Sequence, residues 1–218
     1  RTRPAKLDPV GKNVFLIHLC LDDAAITSDG TLTSRYFGSL PKYLEKNGHI
    51  VFRLPWLSDV TLPLVEVYAK IRESNCLVPE DWLKPLDYPI AIYKHLKSSL
   101  SLKLDVHPND LDIKPLMKRE ILTQLGDGSA IFWRYESAIE RWATSNQRIV
   151  NINQFEGMPG EHIQAFVGSK LDNDFITIGY VHTVVSSDFL IHHFPRREWK
   201  SPLMPDFLVT NGEMYRNL

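Results

Sequence analysis

Nearly continuous apolar runs alternate with amphipathic stretches along the first part of the chain. The run NVFLIHLCL, residues 13–21, lacks a strict apolar–polar alternation, which predicts a strand buried on both faces. Residues 34–47 carry apolar side chains at helical spacing, with Ser34 as the predicted N-cap and Gly48 just after the helix end. The next apolar run, residues 49–57, completes a strand–helix–strand unit and predicts two parallel strands.

The middle of the chain, residues 60–147, has the pattern of a mostly helical segment. Val65 and Ile71 share one predicted helix face, and Asp112 is the predicted N-cap of a second helix. The aromatic residues of SAIFWRYESAIERWA recur at helical spacing, which fits either a packed core or a ligand-binding surface. Core packing is the commoner use of such a stripe, and we favour it here.

Strand and helix patterns alternate again after residue 147. Strands are predicted at 148–153, 174–182 and 205–212, with helices at 159–171 and 186–194. Strands that alternate with helices are typical of parallel sheets covered on both faces. The predicted fold class is therefore α/β, a Rossmann-like and mostly parallel sheet flanked by helices, with a helical insertion.

The predicted organisation is one Rossmann-like domain, residues 1–218, with the helical insertion at 60–147 inside it. Hydrophobic residues make up 44% of the chain and charged residues 23%, which is typical of a globular protein that buries a core. The chain begins with Arg1 and stops at NGEMYRNL, which has the pattern of a helix just beginning. We therefore expect this domain to be the N-terminal half of a two-domain protein.

Charge, cysteines and motifs narrow the function classes. A net charge of −1 gives no electrostatic reason to expect a nucleic-acid partner. Cys20 and Cys76 are interpreted as structural thiols of a reducing compartment. The chain has no glycine-rich phosphate loop, no GxSxG motif and no CxxC pair. No metal site is expected, since His192 and His193 lack acidic or cysteine partners at metal-ligand spacing.

Polar side chains follow the predicted strands at the points where these strands end. In open α/β sheets, ligands bind outside the carboxyl ends of the strands. The sequence therefore predicts a site at one edge of the sheet. Its candidate catalytic residues are Glu156 and His182, and its candidate substrate-binding residues are Asp22, Asp23, Gln154, Phe155, Tyr180 and Asn211.

These candidates also have structural interpretations. Glu156 lies three residues before Pro159, where a carboxylate would stabilise the start of a helix by roughly 0.3–1 kcal/mol. It could equally be a general base or a carboxylate that binds a sugar hydroxyl. Asp22 and Asp23 could be ordinary loop residues, and His182 could be a hydrogen-bonded structural histidine.

Four blocks of the sequence resemble a known family. SRYFGSLPKYLEKNGHIVFRLPWL, NQFEGMPGE, IGYVHTVVSSDFL and PLMPDFLVTNGEMYRNL are similar to blocks of bacterial surface-carbohydrate biosynthesis proteins. These are glycosyltransferase-like proteins of O-antigen and capsule assembly, with two Rossmann-like domains in the GT-B arrangement. The resemblance covers most of the chain outside residues 60–130.

The resemblance implies a division of labour between two domains. The N-terminal domain would bind a sugar or glycolipid acceptor, and a missing C-terminal domain would bind the nucleotide-sugar donor, so no cofactor is expected in this segment. It also implies a cytoplasmic protein, with peripheral association of the full-length protein at the inner face of the membrane as an open alternative. The sequence itself has no apolar stretch near the ~20 residues that span a membrane and nothing like a signal peptide.

The resemblance also implies residue roles. Glu156 matches the acidic position after a late strand and would deprotonate the acceptor hydroxyl. His182 matches the GY-x-H block and would orient the acceptor or stabilise the diphosphate leaving group. Sugar hydroxyls would bind Gln154 and the aspartates Asp22 and Asp23, which match the family only loosely. A sugar ring would stack on Phe155 or Tyr180.

Two other functions remain open from the sequence. The chain could be a non-catalytic module that recognises carbohydrate or another protein. It could also be a different α/β sugar-processing enzyme, such as a sugar-phosphate isomerase or a hydrolase. Substitution of Glu156 by glutamine separates a catalytic role for this carboxylate from a structural one.

Overall fold

The computed structural model of the chain describes residues 13–26, 32–57, 60–101, 112–123, 129–144, 148–156, 159–171, 174–182 and 201–210. The strands are β1 (Val14–Leu21), β2 (Ile50–Leu57), β3 (Ile149–Gln154), β4 (Phe175–Val181) and β5 (Phe207–Thr210). The helices are α1 (Leu40–Lys46), α2 (Leu64–Glu73), α3 (Asp87–Ser101), α4 (Lys114–Thr123), α5 (Ser129–Thr144) and α6 (Pro159–Lys170). Two short 3-10 helices span Asp23–Ala25 and Pro79–Trp82.

The five strands form one parallel sheet in the order β2-β1-β3-β4-β5. This confirms the predicted α/β class. The chain adds β2 on one side of β1 and all later strands on the other side, so the direction of winding reverses between β1 and β3. In doubly wound sheets such a reversal opens a crevice at the carboxyl ends of the two strands, where ligands bind.

The chain divides into two compact units. The larger unit comprises Arg1–Val78 with Glu140–Leu218 and contains the sheet, and the smaller unit comprises Pro79–Ile139. In the smaller unit, the buried carboxylate of Glu136 accepts a hydrogen bond from the Lys94 ammonium at 2.9 Å. All regular elements described between residues 60 and 147 are helical. The extent of the insertion and the single-domain organisation stay predictions.

The first predicted helix is shorter than the sequence pattern indicated. The pattern extended it from Ser34, whereas α1 begins at Leu40 and the segment before it forms turns. The reason is Pro41, which lacks an N–H and clashes with the preceding turn unless it lies at the start of a helix. The Ser34 hydroxyl accepts a hydrogen bond from the Phe37 N–H at 3.0 Å and so caps a turn. Gly48 has the predicted left-handed conformation after α1, with φ of 83°.

Two predictions in the helical segment have different outcomes. Asp112, the predicted N-cap, lies two residues before α4 begins, and its carboxylate accepts a hydrogen bond from the Lys114 N–H at 3.0 Å. The predicted buried face of α2 is wrong at Val65, which is 84% exposed. The helix buries Val67 and Ile71, which lie one turn apart and pack with residues of β1.

The side of the sheet covered by α1 and the preceding turns is here called the α1 face. Its centre is an apolar cluster in which Ile17 of β1 packs with Val150 and Ile152 of β3. Leu44 of α1 and Phe37 of the preceding turns cover these residues. Complete burial of an aliphatic side chain contributes about 1.5–3 kcal/mol, so this cluster stabilises the β1–β3 pairing on which the carboxyl-end crevice depends.

The opposite side is called the α6 face. On it, Gly168 of α6 lies so close to β4 that an added Cβ would be 2.8 Å from the Phe175 ring and 3.1 Å from the Thr177 hydroxyl oxygen. A glycine at this position therefore lets the helix approach the sheet. Two polar residues of α6, Glu161 and Gln164, are also buried, with exposures of at most 3%.

Candidate functional site

The carboxyl edge, which is the side of the sheet where β1, β3 and β4 end, brings Glu156 and His182 together. β3 and β4 are adjacent parallel strands, so the residues that follow them lie at the same edge. The Nε2 atom of His182 lies 3.2 Å from Oε1 of Glu156. Their side chains are 17% and 24% exposed, so the pair is partly accessible to a ligand.

A tyrosine from the first crossover covers this pair. The Tyr36 and His182 ring centroids are 4.2 Å apart, and the two planes are inclined at 55°. The pKa of the Tyr36 hydroxyl is raised, chiefly by burial and then by the nearby Cys20 and Glu156. Glu156, His182 and Tyr36 form what is here called the edge cluster, a carboxylate, an imidazole and a phenol within one neighbourhood.

Asp22 connects the end of β1 to the segment that carries Tyr36. One carboxylate oxygen accepts a hydrogen bond from the Ala25 N–H at 2.9 Å and caps the first 3-10 helix. The other oxygen forms an ion pair with Arg35 at 2.7 Å. Since Arg35 precedes Tyr36 in the chain, this ion pair helps to hold Tyr36 near the carboxyl edge. Asp22 thus contacts the protein itself, and its charge contributes to the raised pKa of Tyr36 in the edge cluster.

The Asp23 side chain is hydrogen-bonded to Thr61, in the segment that follows β2. Its two carboxylate oxygens accept hydrogen bonds from Thr61, one from the backbone N–H at 2.9 Å and one from the hydroxyl. These bonds lower the pKa of the Asp23 carboxyl. The structure therefore gives Asp23 the loop interpretation that the sequence left open, and none of its hydrogen bonds to described residues involves the edge cluster.

Phe155 is a correction to the predicted substrate-binding set. Its ring is fully buried and meets His162 edge-on at a centroid distance of 5.5 Å. A Cβ added to Gly179 would lie 2.8 Å from the Phe155 Cβ, so the absence of a side chain on the neighbouring strand makes room for this residue. Phe155 belongs to the core because the strand places it on the α6 face, and its ring offers no surface for a sugar.

The remaining predicted residues differ in position. Tyr180 is partly buried, with its ring centroid 5.9 Å from that of Phe37 and 6.4 Å from that of His182, so it lies beside the edge cluster. Gln154 is partly buried, and its Oε1 atom has no hydrogen-bond partner within the described part of the chain. Asn211, like His192 and His193, lies outside the described residues.

Glu161 is a functional candidate that the sequence reasoning missed. It lies in the first turn of α6 and is 3% exposed, and its carboxylate accepts a hydrogen bond from the Glu156 N–H at 2.8 Å. Glu161 is thus the carboxylate in the first turn of the helix, whereas the Glu156 side chain contacts His182. A glutamate just after Pro159 is an ordinary helix-start signal, and it could have been read from the sequence. Tyr36 had no such signal, since only the fold brings it to His182.

The chemistry available at the carboxyl edge is proton transfer and hydrogen bonding. Within the described ranges, no group of three or more His, Cys, Asp or Glu side chains could hold a metal ion. Cys20 and Cys76 form no disulfide with a described residue, and burial raises the pKa of Cys76 to about 11. None of the described helices is long and apolar enough to cross a membrane. A carboxylate paired with an imidazole can exchange a proton with a bound hydroxyl group.

Comparison of the chain with family models, curated proteins and solved structures found no significant match.

Proposed function

We propose that this chain is the acceptor-binding half of a glycosyltransferase of surface polysaccharide biosynthesis, with Glu156 as the general base. The observation that carries the proposal is the pair of Glu156 and His182, 3.2 Å apart at the carboxyl edge of a parallel sheet. This edge is where doubly wound folds bind ligands. The pair is also partly exposed, which an acceptor hydroxyl requires.

The division of roles follows from which atoms are accessible. The Nδ1 atom of His182 is buried, and its Nε2 atom faces Glu156. Glu156 is the more exposed member of the pair, so it is the one that offers an oxygen to an acceptor. His182 then acts as a positioning residue that holds the carboxylate in place.

The proposed reaction moves one proton and one glycosyl group. The acceptor hydroxyl gives its proton to a carboxylate oxygen of Glu156, while the hydroxyl oxygen forms a bond to the anomeric carbon of a nucleotide sugar. The bond from that carbon to the diphosphate breaks, and the diphosphate leaves with the electron pair. We place the donor site outside the described residues. Tyr36 and Tyr180 flank His182 and supply aromatic surface and hydroxyl groups for the acceptor.

The test is a transferase assay on Glu156→Gln in the protein that carries both the acceptor-binding and the donor-binding domain, with a panel of nucleotide sugars and acceptor glycans. Glutamine keeps the shape of glutamate and removes its ability to take a proton, so we expect the rate to fall by roughly 10²–10⁴-fold. The matched control is Glu140→Gln, the same change at a surface carboxylate that pairs with Lys170 on α6. The control should retain wild-type activity.

Three results would contradict the proposal in different ways. A folded Glu156→Gln protein with a wild-type rate would remove Glu156 as the base. Glycan binding without transfer by the wild type would favour the carbohydrate-recognition module. Transfer to no acceptor together with turnover of a sugar phosphate or a glycoside would favour a different sugar-processing enzyme.

A further inference from the structure

The α6 face carries a layer of polar side chains in the interior of the protein. We call it the buried polar layer, and its members are the five residues His18, Asn151, Asn153, Gln164 and Thr177. All are at most 7% exposed, and Asn151 and Asn153 are 0% exposed. The layer is distinct from the edge cluster, whose side chains are partly exposed and contact one another.

The sheet register places four of these residues side by side. Asn151 and Thr177 are direct partners across β3 and β4. His18 and Asn153 follow Ile17 and Ile152, which are partners across β1 and β3. Side chains two apart on a strand share a face, so Asn151 and Asn153 point the same way.

Gln164 is the member of the layer that comes from the helix α6. The helix lies against this face at two points, where the Asn153 amide approaches the Glu161 carbonyl oxygen at 3.5 Å and where Gly168 lies over Thr177. Gln164 occupies the turn between Glu161 and Gly168 and is 3% exposed. Its side chain is therefore enclosed between the helix and the sheet.

The layer is unusual because its hydrogen-bonding capacity is not met by the protein. Within the described part of the chain, these side-chain atoms have no hydrogen-bond partner: Nδ1 of His18, both amide atoms of Asn151, Oδ1 of Asn153, Oε1 of Gln164 and the Thr177 hydroxyl oxygen. Each buried group left unpaired costs about 1–3 kcal/mol. Six such atoms in one layer exceed what a marginally stable fold tolerates, since domains are stable by only about 5–15 kcal/mol.

We propose that the buried polar layer is a binding site for ordered water molecules that bridge Asn151, Thr177 and Gln164. Water both donates and accepts, and it matches a layer that mixes amide N–H groups with carbonyl, imidazole and hydroxyl acceptors. Buried water typically makes about three hydrogen bonds to groups of this kind, and folded proteins hold roughly one such molecule per 27 residues. The buried carboxylate beside the layer, Asp206, accepts a hydrogen bond from the Thr177 N–H at 2.9 Å.

A dry layer and a hydrated layer predict opposite effects of Asn151→Leu on stability. If the layer is dry, the substitution removes two unsatisfied atoms without breaking a bond, and the protein becomes more stable. If water bridges the layer, leucine displaces it and leaves the remaining groups unpaired. We then expect the unfolding equilibrium constant to rise by roughly five- to a hundredfold.

A double-mutant cycle with Thr177→Val identifies the shared water. Each single substitution should destabilise the protein, and the double variant should be no less stable than the worse single variant, because the same water is lost in each case. The control cycle pairs Asn151→Leu with Ile71→Val, which lies in the separate apolar cluster under α2 and should be additive. An additive Asn151–Thr177 cycle, or a gain in stability from Asn151→Leu, would overturn the proposal.

A measurement on the wild-type protein covers the case in which a variant does not fold. Water-exchange NMR should show cross-peaks between long-lived water and the Asn151 side-chain amide protons, and these should be absent for the exposed amide of Asn47. Absence of water contacts at Asn151 would overturn the proposal independently of the variants.

Discussion

The two faces of one sheet use polar residues in opposite ways. The α1 face has an apolar centre, where Ile17 and Ile152 pack under α1, and Glu156 and His182 meet at its carboxyl edge. The α6 face is polar at its centre, around Asn151. Polar groups at the edge contact one another and are partly exposed, whereas those at the centre require a partner enclosed with them. Burial therefore encloses the polar groups of the α6 face, whereas those of the edge cluster stay partly accessible.

The difference follows from strand alternation. Successive residues of β3 point to opposite faces, so Val150 and Ile152 enter the apolar cluster while Asn151 and Asn153 enter the polar layer. One hexapeptide thus builds both interiors. A shift of register by one residue would exchange them, which is why the pairing of β3 with β1 is under a strong constraint.

The largest expected effect is a loss of stability from Ile17→Ala at the centre of the α1 face. Ile17 is 1% exposed and packs in the apolar cluster, so its truncation removes buried surface and leaves a cavity. We expect the free energy of unfolding in urea to fall by about 2–5 kcal/mol. Val65→Ala, at an 84% exposed position of α2, is the control and should change stability by less than about 0.5 kcal/mol. Equal effects at the two sites would show that the α1 face is not a packed core.

The next effect is the pH dependence that His18 brings to the α6 face. Burial lowers the pKa of the His18 imidazole from 6.5 to about 4. Between these values the unfolded chain binds a proton at His18 and the folded protein does not, so stability falls as the pH is lowered through this window. The shift corresponds to about 3 kcal/mol lost by the low end of the window.

The pH prediction is checked by urea denaturation of wild type and His18→Leu between pH 4 and pH 7. Removal of the imidazole should abolish this part of the pH dependence, although leucine also changes the packing against Trp56. The quantity compared is therefore the slope of the free energy of unfolding against pH, and not the absolute free energy. Identical slopes for the two proteins would mean that His18 is accessible to protons in the folded state, and the contrast between the faces would weaken.

The smallest effect concerns the close approach of α6 to the sheet. Gly168→Ala would place a methyl group 2.8 Å from the Phe175 ring, and overpacking of this kind costs about 1–3 kcal/mol. The higher helix propensity of alanine offsets up to about 1 kcal/mol, so we expect a net loss of about 1 kcal/mol in thermal or urea unfolding. The double variant Gly168→Ala with Phe175→Leu should show less than additive destabilisation. Strict additivity would indicate that the helix shifts away from the sheet instead.

Much of the fold was predictable because it depends on local patterns. The apolar runs at 13–21 and 49–57 became β1 and β2 with small changes at their ends. The helix predicted from Ser34 failed because spacing alone does not weigh the backbone constraint of Pro41. Val65 failed because a helix face is defined by what packs on it, and α2 turns Val67 and Ile71 inward.

The candidate site was predictable only in part. Strand ends of a parallel sheet share one edge, so the sequence placed Glu156 near His182 without any contact being known. The sequence could not distinguish the roles of Asp22 and Asp23, because these roles depend on their partners in the fold, Arg35 and Thr61. It also assigned Phe155 to the ligand, since an aromatic ring after a strand has no mark that distinguishes a core position from an exposed one.

The sequence by itself determined the α/β class, the order of the strands along the chain and the residue types that reach the carboxyl edge. These follow from hydrophobic periodicity, which is a property of neighbouring residues. Only the tertiary structure decided that Glu156 faces His182, that Tyr36 lies against His182, and that Asn151 lies in a buried layer. Each of these depends on which residue from a distant segment packs alongside, and pairings between distant segments are set by the whole fold.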